Sequence, residues 1–558
     1  MKDWTSHLTQ FDQDKAATYK RHAWWPDRIL ASYLDEAFAQ RPEGNAVVDR
    51  LGTMSYADLH DTTQRAARAL LALDVEPGDV VTCQLPNWRE VLVIALACSR
   101  IGAVYNGIAP IFRERDMTVM LRIAESKLLV EPARFRSFDQ AGMAVALHAA
   151  VDTLRNVVVI GDPVPDGTLS WEDFLALGDQ DRELPTPPSP DSVGQLAFTS
   201  GTTGQPKGVL HTHNTVLAAT KAFVDELGLS AGDTFHMAST LGHQTGFLFG
   251  VQMPIMTGSP VVLQQAWDAA EFVELIDSEH ITMTNGAIPY LSDLLHAPNF
   301  DGHDTTSLRL FGCFGAGLPR ALAKRAADQL PDCTVFGGWG MTETGLAVIN
   351  PPTDTLDQIC DTDGLPVAGT EIRVLTEDLA GDAGEGVDGE LVTRGPLRHL
   401  GFVQKELSEQ LFLDGDWYVT GDRGHLIEGT RFVMTARSKD IVIRGGENIP
   451  VAEVESLLLE HDAVLSVAVV AVPDDRLGER ACACVLCEPG STFSFDDMTA
   501  WLQEKKLTPQ YWPERLEVLD EFPTTASGKV QKFRLREQVT TSADTGAPAP
   551  DARTAAGA

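Results

Sequence analysis

TSGTTGQPKG, residues 199–208, sets the fold class of this chain. Its positions are Thr199, Ser200, Gly201, Thr202, Thr203, Gly204, Gln205, Pro206, Lys207 and Gly208, with no large apolar side chain among them. The apolar run before it, Gln195 to Thr199, has the length of a buried strand. Such a loop can wrap backbone N–H groups and hydroxyls around a polyanion, and Lys207 adds a positive charge. It is not a Walker A loop, which requires G-x-x-x-x-G-K-[ST]. Counted from Gly201, Pro206 occupies the place of the second glycine and Gly208 that of the Ser or Thr.

Working outward, 558 residues are enough for more than one domain, and 44% apolar with 22% charged residues is a globular composition. A net charge of −35 weighs against nucleic acid or an anionic membrane as a bulk partner. An anionic substrate must therefore meet a local cluster of Lys and Arg. Residues 1–30 hold no apolar targeting core. The most apolar run, Val91 to Cys98, is soon interrupted by Arg100 and is too short to span a bilayer. Eight cysteines scattered over a long chain predict reduced thiols and a cytoplasmic location. Cys482, Cys484 and Cys487 alternate as in a buried strand, with no His or fourth Cys close by in sequence to complete a zinc site.

Upstream of the loop, helix and strand patterns alternate. Residues 28–40 have helical spacing, Ser55 with Asp58 reads as a cap for a helix ending near Leu73, and a strand at residues 79–85 precedes a helix at 88–100. This alternation predicts parallel α/β units. After the loop, Asn214 is the expected cap of a helix with Val216, Ala219, Phe223 and Leu227 on one face. His211 and His213, ahead of that helix, lack the further ligands of a zinc site. At residues 311–319, FGCFGAGLP is a strand ending in a Gly-rich turn, but Arg320 replaces the third glycine of a dinucleotide fingerprint. Residues 364–433 alternate as in a β-rich subdomain. Beyond them the pattern is that of a small α+β domain of about a hundred residues, and residues 540–558 have the composition of a disordered tail.

Three more strings carry chemistry. In GWGMTE, Gly338 and Gly340 let the backbone approach a flat ligand, Trp339 offers a stacking face, Met341 and Thr342 follow, and Glu343 offers oxygen to Mg²⁺. WYVTGD ends in Asp422, whose two carboxylate oxygens suit a ribose diol. PTTASGK ends in Lys529.

In this order and spacing the four motifs resemble those of the adenylate-forming enzymes: acyl- and aryl-CoA synthetases, adenylation domains of peptide synthetases, and firefly-type luciferases. The likeness runs from about Ala31 to Arg536. It implies an α/β fold with a large N-terminal domain of layered sheets and helices over residues 1–436, holding the β-rich subdomain, and a small mobile C-terminal α+β lid over residues 437–539. It also implies ATP, Mg²⁺ and CoA as reactants and cofactors. A carboxylic acid would be adenylated with release of pyrophosphate, and a thiol would then displace AMP.

By this resemblance the loop, with Ser200, Gly201, Thr203, Gly204 and Lys207, holds the ATP phosphates, while Thr202 and Glu343 help place Mg²⁺. Gly315, Ala316, Gly317 and Trp339 hold adenine, and Asp422 and Arg437 the ribose. Lys529 bridges the carboxylate and the α-phosphate, and Lys439 is the hinge about which Gly445, Gly446 and Glu447 approach the thiol tunnel. The acyl pocket is expected around His243, Gln244, Thr245, Gly246, Phe247, Gly315, Gly338 and Met341, with no Lys or Arg for a second carboxylate. An uncharged, apolar acid follows. HQTGFLFG, GWGMTE and ENIPVAEVE are most similar to the cyclohexanecarboxylate and short-to-medium-chain acyl-CoA ligases. Pro450-Val451 replaces the commoner aromatic-Pro pair, Trp339 the commoner Tyr, and Gln244 the Asn of dihydroxybenzoate-activating relatives. CoA is the expected acceptor because no carrier domain follows Lys529 in this chain, with a homodimer as a candidate assembly. A stand-alone enzyme loading a separate carrier protein and a non-catalytic nucleotide-binding protein are the alternatives.

Overall fold

The computed structural model describes every residue except 1, 181, 200–205, 315–317, 319, 377, 438–441, 489, 524–531 and 544–558. Apolar strands alternating with amphipathic helices build two large sheets. In one, eight strands lie in the order Gly401–Phe402, Lys207–Thr212, Val193–Thr199, Val104–Gly107, Val80–Cys83, Leu128–Pro132, Asn156–Ile160 and Leu169–Ser170. Its middle strands run parallel. Val193–Thr199 and Lys207–Thr212 are antiparallel, with Thr199 opposite Lys207, so the described ends of the Gly-rich loop lie side by side. The second sheet has seven strands and is parallel apart from its edge strand Gly52–Ser55.

Helices fill the space between these sheets. Val91 to Cys98 is the buried centre of the helix Arg89–Ile101, which explains its apolarity without a membrane. No helix among the described residues is long and apolar enough to cross one. Ser55 and Asp58 form the expected capping box. The helix His213–Glu226, however, is capped by Thr212 and not by Asn214. The Asn214 amide is committed elsewhere: its Oδ1 accepts from the Asp27 N–H at 2.9 Å and its Nδ2 donates to Asp191 at 2.7 Å.

Residues 364–433 are β-rich as expected, with Trp417–Ile427 at the centre of a sheet flanked by Gly389–Arg394 and Arg431–Arg437. Farther along, Val464–Asp474 and Gly478–Cys487 form a long hairpin, and Arg515–Val518 adds a parallel strand. The helices Val451–Leu459 and Phe495–Glu504 pack on one face of this small sheet. Cys482 and Cys484 are buried on the other face, while Cys487 packs with the first, so alternation separates Cys487 from the other two thiols as strand geometry requires. A helix at Lys532–Ala543 covers the second face with Leu535 and Val539. It overlaps the start of the segment whose composition suggested a tail at residue 540.

Candidate active site

Glu343 is the point where the motifs converge. It follows the strand Gly338–Met341, and its carboxylate receives a long hydrogen bond from Thr199 Oγ1 at 3.4 Å. The side chain is buried, and Oε2 has no hydrogen-bond partner among the described residues. Burial pushes this carboxyl up, and the nearby charge of Lys207 opposes that. The Glu343 carbonyl accepts two hydrogen bonds from His399, from its backbone N–H at 2.8 Å and its Nδ1 at 2.9 Å. His211 Nε2 donates to the Thr342 carbonyl at 2.7 Å. Both imidazoles are buried; burial holds His211 down to about 4 and His399 well below the ordinary range, so each is a neutral strut. Gln404 fastens the far end of the loop, donating to the Pro206 carbonyl at 2.9 Å and accepting from the Gly208 N–H at 3.1 Å. Neither His399 nor Gln404 stands out in the sequence, because each acts through the backbone of a distant segment.

Trp339 departs from the expectation. Its indole is 4% exposed, packs edge-on against Phe432, and donates through Nε1 to Asp422 Oδ2 at 2.9 Å. Alternation along its strand turns this side chain into the β-rich subdomain, so it aims the Asp422 carboxylate and presents no open stacking face. The flanking glycines serve the same hairpin. A Cβ at Gly338 would lie 2.4 Å from the Val348 carbonyl oxygen, and one at Gly340 2.4 Å from that of Gly345. Met341 sits half-buried between two apolar clusters. The backbone of Arg437 lies opposite Asp422 in the strand pairing. Asp363, which the sequence reading missed, accepts the Met434 N–H at 2.7 Å and is pushed up to about 6, by burial first and by the Asp422 charge.

Beside Thr342 opens a cleft of about 280 Å³ including its mouth. Its walls include the expected His243, Gln244 and Phe247, together with Leu241, Gly242, Ala197 and Phe198. Tyr105, Gly107 and Gln195, which the sequence did not single out, line it too; the Tyr105 ring stacks on Phe247 at 4.9 Å. Thr245, Gly246, Gly338 and Met341 do not line this cleft. His243 is exposed at the start of the short helix Gln244–Phe247. Gly242 is required by proximity, since a Cβ there would lie 2.4 Å from the Ile108 carbonyl carbon.

Gly445 and Gly446, with φ of 55° and 89°, form the tight turn between Val442–Arg444 and Glu447–Ile449. A Cβ at Gly446 would lie 3.5 Å from that of Ala287, so this turn touches the N-terminal domain just before the helix Ile288–Leu295. The Glu447 charge reaches Tyr290 on that helix. Ser200, Gly201, Thr202, Thr203, Gly204, Gly315, Ala316, Gly317, Lys439 and Lys529 lie outside the described residues.

Comparison with known proteins accounts for this arrangement. Residues 34–402 match the AMP-binding enzyme family, and residues 453–529 match the AMP-binding enzyme C-terminal domain. The chain is 34% identical to a medium-chain fatty-acid–CoA ligase of Escherichia coli (strain K12), over 95% of this chain and 94% of that protein. It is 31% identical to 2-hydroxy-7-methoxy-5-methyl-1-naphthoate–CoA ligase of Streptomyces carzinostaticus, over 94% of this chain and 95% of that one. Its fold matches that of the amide bond synthetase McbA from Marinactinospora thermotolerans with a TM-score of 0.81 and 26% identity, over 92% of this chain and 99% of that one. With both family matches in chain order and two CoA-ligase relatives matched over nearly their whole length, the chain belongs to the adenylate-forming AMP-binding enzymes and is an AMP-forming ligase.

Proposed function

We propose that this ligase joins an uncharged, largely apolar monocarboxylic acid to CoA at the expense of ATP. The observation that carries this reading is the cleft beside Thr342: among the described residues its lining holds neither Lys nor Arg to pair a second carboxylate. In the first step a carboxylate oxygen attacks the α-phosphorus of ATP, the bond to the β-phosphate oxygen breaks, and pyrophosphate leaves. In the second the CoA thiol gives up its proton, its sulfur attacks the acyl carbon, and the acyl–oxygen bond to AMP breaks.

The first step brings two anions together and needs aimed positive charge. In this reading the loop N–H groups, Lys207 and Lys529 supply it, and Asp422 and Arg437 hold the ribose. Trp339 orients Asp422 through the hydrogen bond at 2.9 Å. The orphaned Glu343 Oε2 fits a divalent cation. Glu343 and Thr202 would hold Mg²⁺, which would neutralise phosphate charge. Rotation about Lys439 would exchange Lys529 for the 445–447 turn between steps, and the pose with that turn against Ala287 is the one we assign to thiol transfer.

The test is a panel of aliphatic, alicyclic and aromatic acids, each with ATP, Mg²⁺ and CoA, with thioesters identified by mass. Thioesters of uncharged acids are expected. Pyrophosphate release without any CoA thioester would shift the acceptor to a carrier protein, and no pyrophosphate release from any acid would refute the reading.

A further inference from the structure

Among the polar side chains that line the cleft with Ala197, Phe198, Leu241 and Phe247, two form a buried amide pair. Gln195, on the strand Val193–Thr199, donates from Nε2 to Gln244 Oε1 at 2.8 Å, and the two side chains are 5% and 9% exposed. Gln195 Oε1 is withdrawn from water and has no hydrogen-bond partner among the described residues. Strand alternation puts Gln195 on the same face as Ala197, which lines the cleft, and Thr199, which reaches Glu343. The amide pair therefore shares the strand face that leads from the cleft to the Glu343 carboxylate. Next to the pair, the stacked Tyr105 and Phe247 rings add an aromatic surface: Tyr105 is the strand neighbour of Gln195, and Phe247 lies on the same short helix as Gln244.

A buried amide oxygen without a partner is costly, and native proteins keep such groups where something supplies the missing donor. Resting on the ligase reading above, we propose that the Gln195–Gln244 pair reads a hydroxyl group on the acid. The substrate class is then a hydroxy-substituted monocarboxylic acid whose remaining frame is apolar. A hydroxyl is the group of choice because it donates and accepts. The pair is joined by one hydrogen bond, which leaves Gln195 offering an acceptor as drawn, or a donor if both amides turn over together. A hydroxyl satisfies either arrangement; a ketone or an ether satisfies only the second. Sites built to hydrogen-bond a substrate hydroxyl reject the analogue without it far more strongly than apolar pockets reject an extra methylene.

The experiment uses matched acids that differ only by one hydroxyl: benzoate against its 2-, 3- and 4-hydroxy forms, and hexanoate against its 2- and 3-hydroxy forms. Pyrophosphate release by the full-length protein gives kcat/KM for each. For at least one pair, the hydroxy acid is expected to exceed its parent by about tenfold or more, and that same acid to raise Tm in the presence of ATP when its parent does not. Gln195→Leu and, separately, Gln244→Leu are expected to bring the ratio for that pair towards one. The aromatic and aliphatic arms show which frame carries the hydroxyl. Ratios near one for every pair in the unaltered protein would mean that a water satisfies Gln195, and would overturn the proposal. So would a tenfold preference that survives in both variants. Activation of plain acids without preference sinks this inference and leaves the ligase reading standing; failure to activate any acid sinks both.

Discussion

The cleft beside Thr342 and the seam between the N-terminal and C-terminal domains differ in their use of charge. The cleft is neutral, and its walls come from strand ends and a stacked ring pair inside one domain. The seam combines ion pairs and a polar contact with one aromatic contact. Arg115 pairs with Glu453 at 3.3 Å, Lys506 with Glu114 at 3.2 Å, and Arg476 with Asp293 at 3.3 Å. Thr508 Oγ1 donates to Asp116 at 2.5 Å in a buried contact, and Phe112 meets Tyr511 edge-on. On the N-terminal side the platform is stiff: Gln84 Nε2 donates to the carbonyls of Ala109 and Phe112, and Gln140 Nε2 to that of Pro110. A neutral, packed wall fixes the shape of what it binds. A few titratable contacts on a firm platform can be made and released without disturbing the core beneath.

The sharpest break in that contrast is Lys529→Ala. Adenylation should fall by a factor on the order of a hundred, while thioester formation from preformed acyl-adenylate falls much less; equal loss in both would mean the residue serves structure. Next is Gly242→Ala on the cleft side. Overpacking against Ile108 should cost about 1–3 kcal/mol and reduce activation of every acid, read by thermal melting and pyrophosphate release. A neutral result would show that the wall yields. Third, Thr508→Val leaves Asp116 buried without its donor. The loss of about 1–3 kcal/mol should appear as faster hydrogen exchange in Glu114–Ala124 and a several-fold slower thiol step, with adenylation spared.

The smallest effect expected is a pH dependence. Burial first, and the Asp116 charge after it, push Glu453 up to about 7, with Arg115 opposing. A carboxyl raised by docking makes the docked state take up a proton. Its contribution is complete below the ordinary value of 4.5 and is lost as pH rises through about 7. Exchange in the helix Val451–Leu459, corrected for its intrinsic rate, should therefore quicken from about pH 6 to pH 8, and Glu453→Gln should flatten the trend. An unchanged slope in that variant would assign the titration elsewhere.

Much of the cleft side was legible in the sequence, because its motifs are local. The sequence named the Gly-rich string as a loop after a buried strand, and named His243, Gln244 and Phe247 of the cleft wall, but it gave neither the antiparallel strand Lys207–Thr212 nor the helix Gln244–Phe247. The misreadings share one cause: a side chain with two possible partners. Asn214 and Thr212 are both good caps, and only the distant Asp27 and Asp191 decide between them. Trp339 can face a ligand or Asp422, and strand alternation against Phe432 decides. The seam was illegible, since Asp116 and Thr508 stand 392 residues apart and neither belongs to a motif. The helix Lys532–Ala543 was also missed, because Leu535 and Val539, its buried apolar residues among those described, are too few to make a pattern.

That last helix bears on how the protein can be shortened. Leu535 and Val539 close a second apolar layer over Ala468, Val470, Val472, Cys482 and Cys484. Clipping the chain at Lys532, as though only a dispensable extension followed, would bare that layer and bring two sheltered thiols into contact with oxidants.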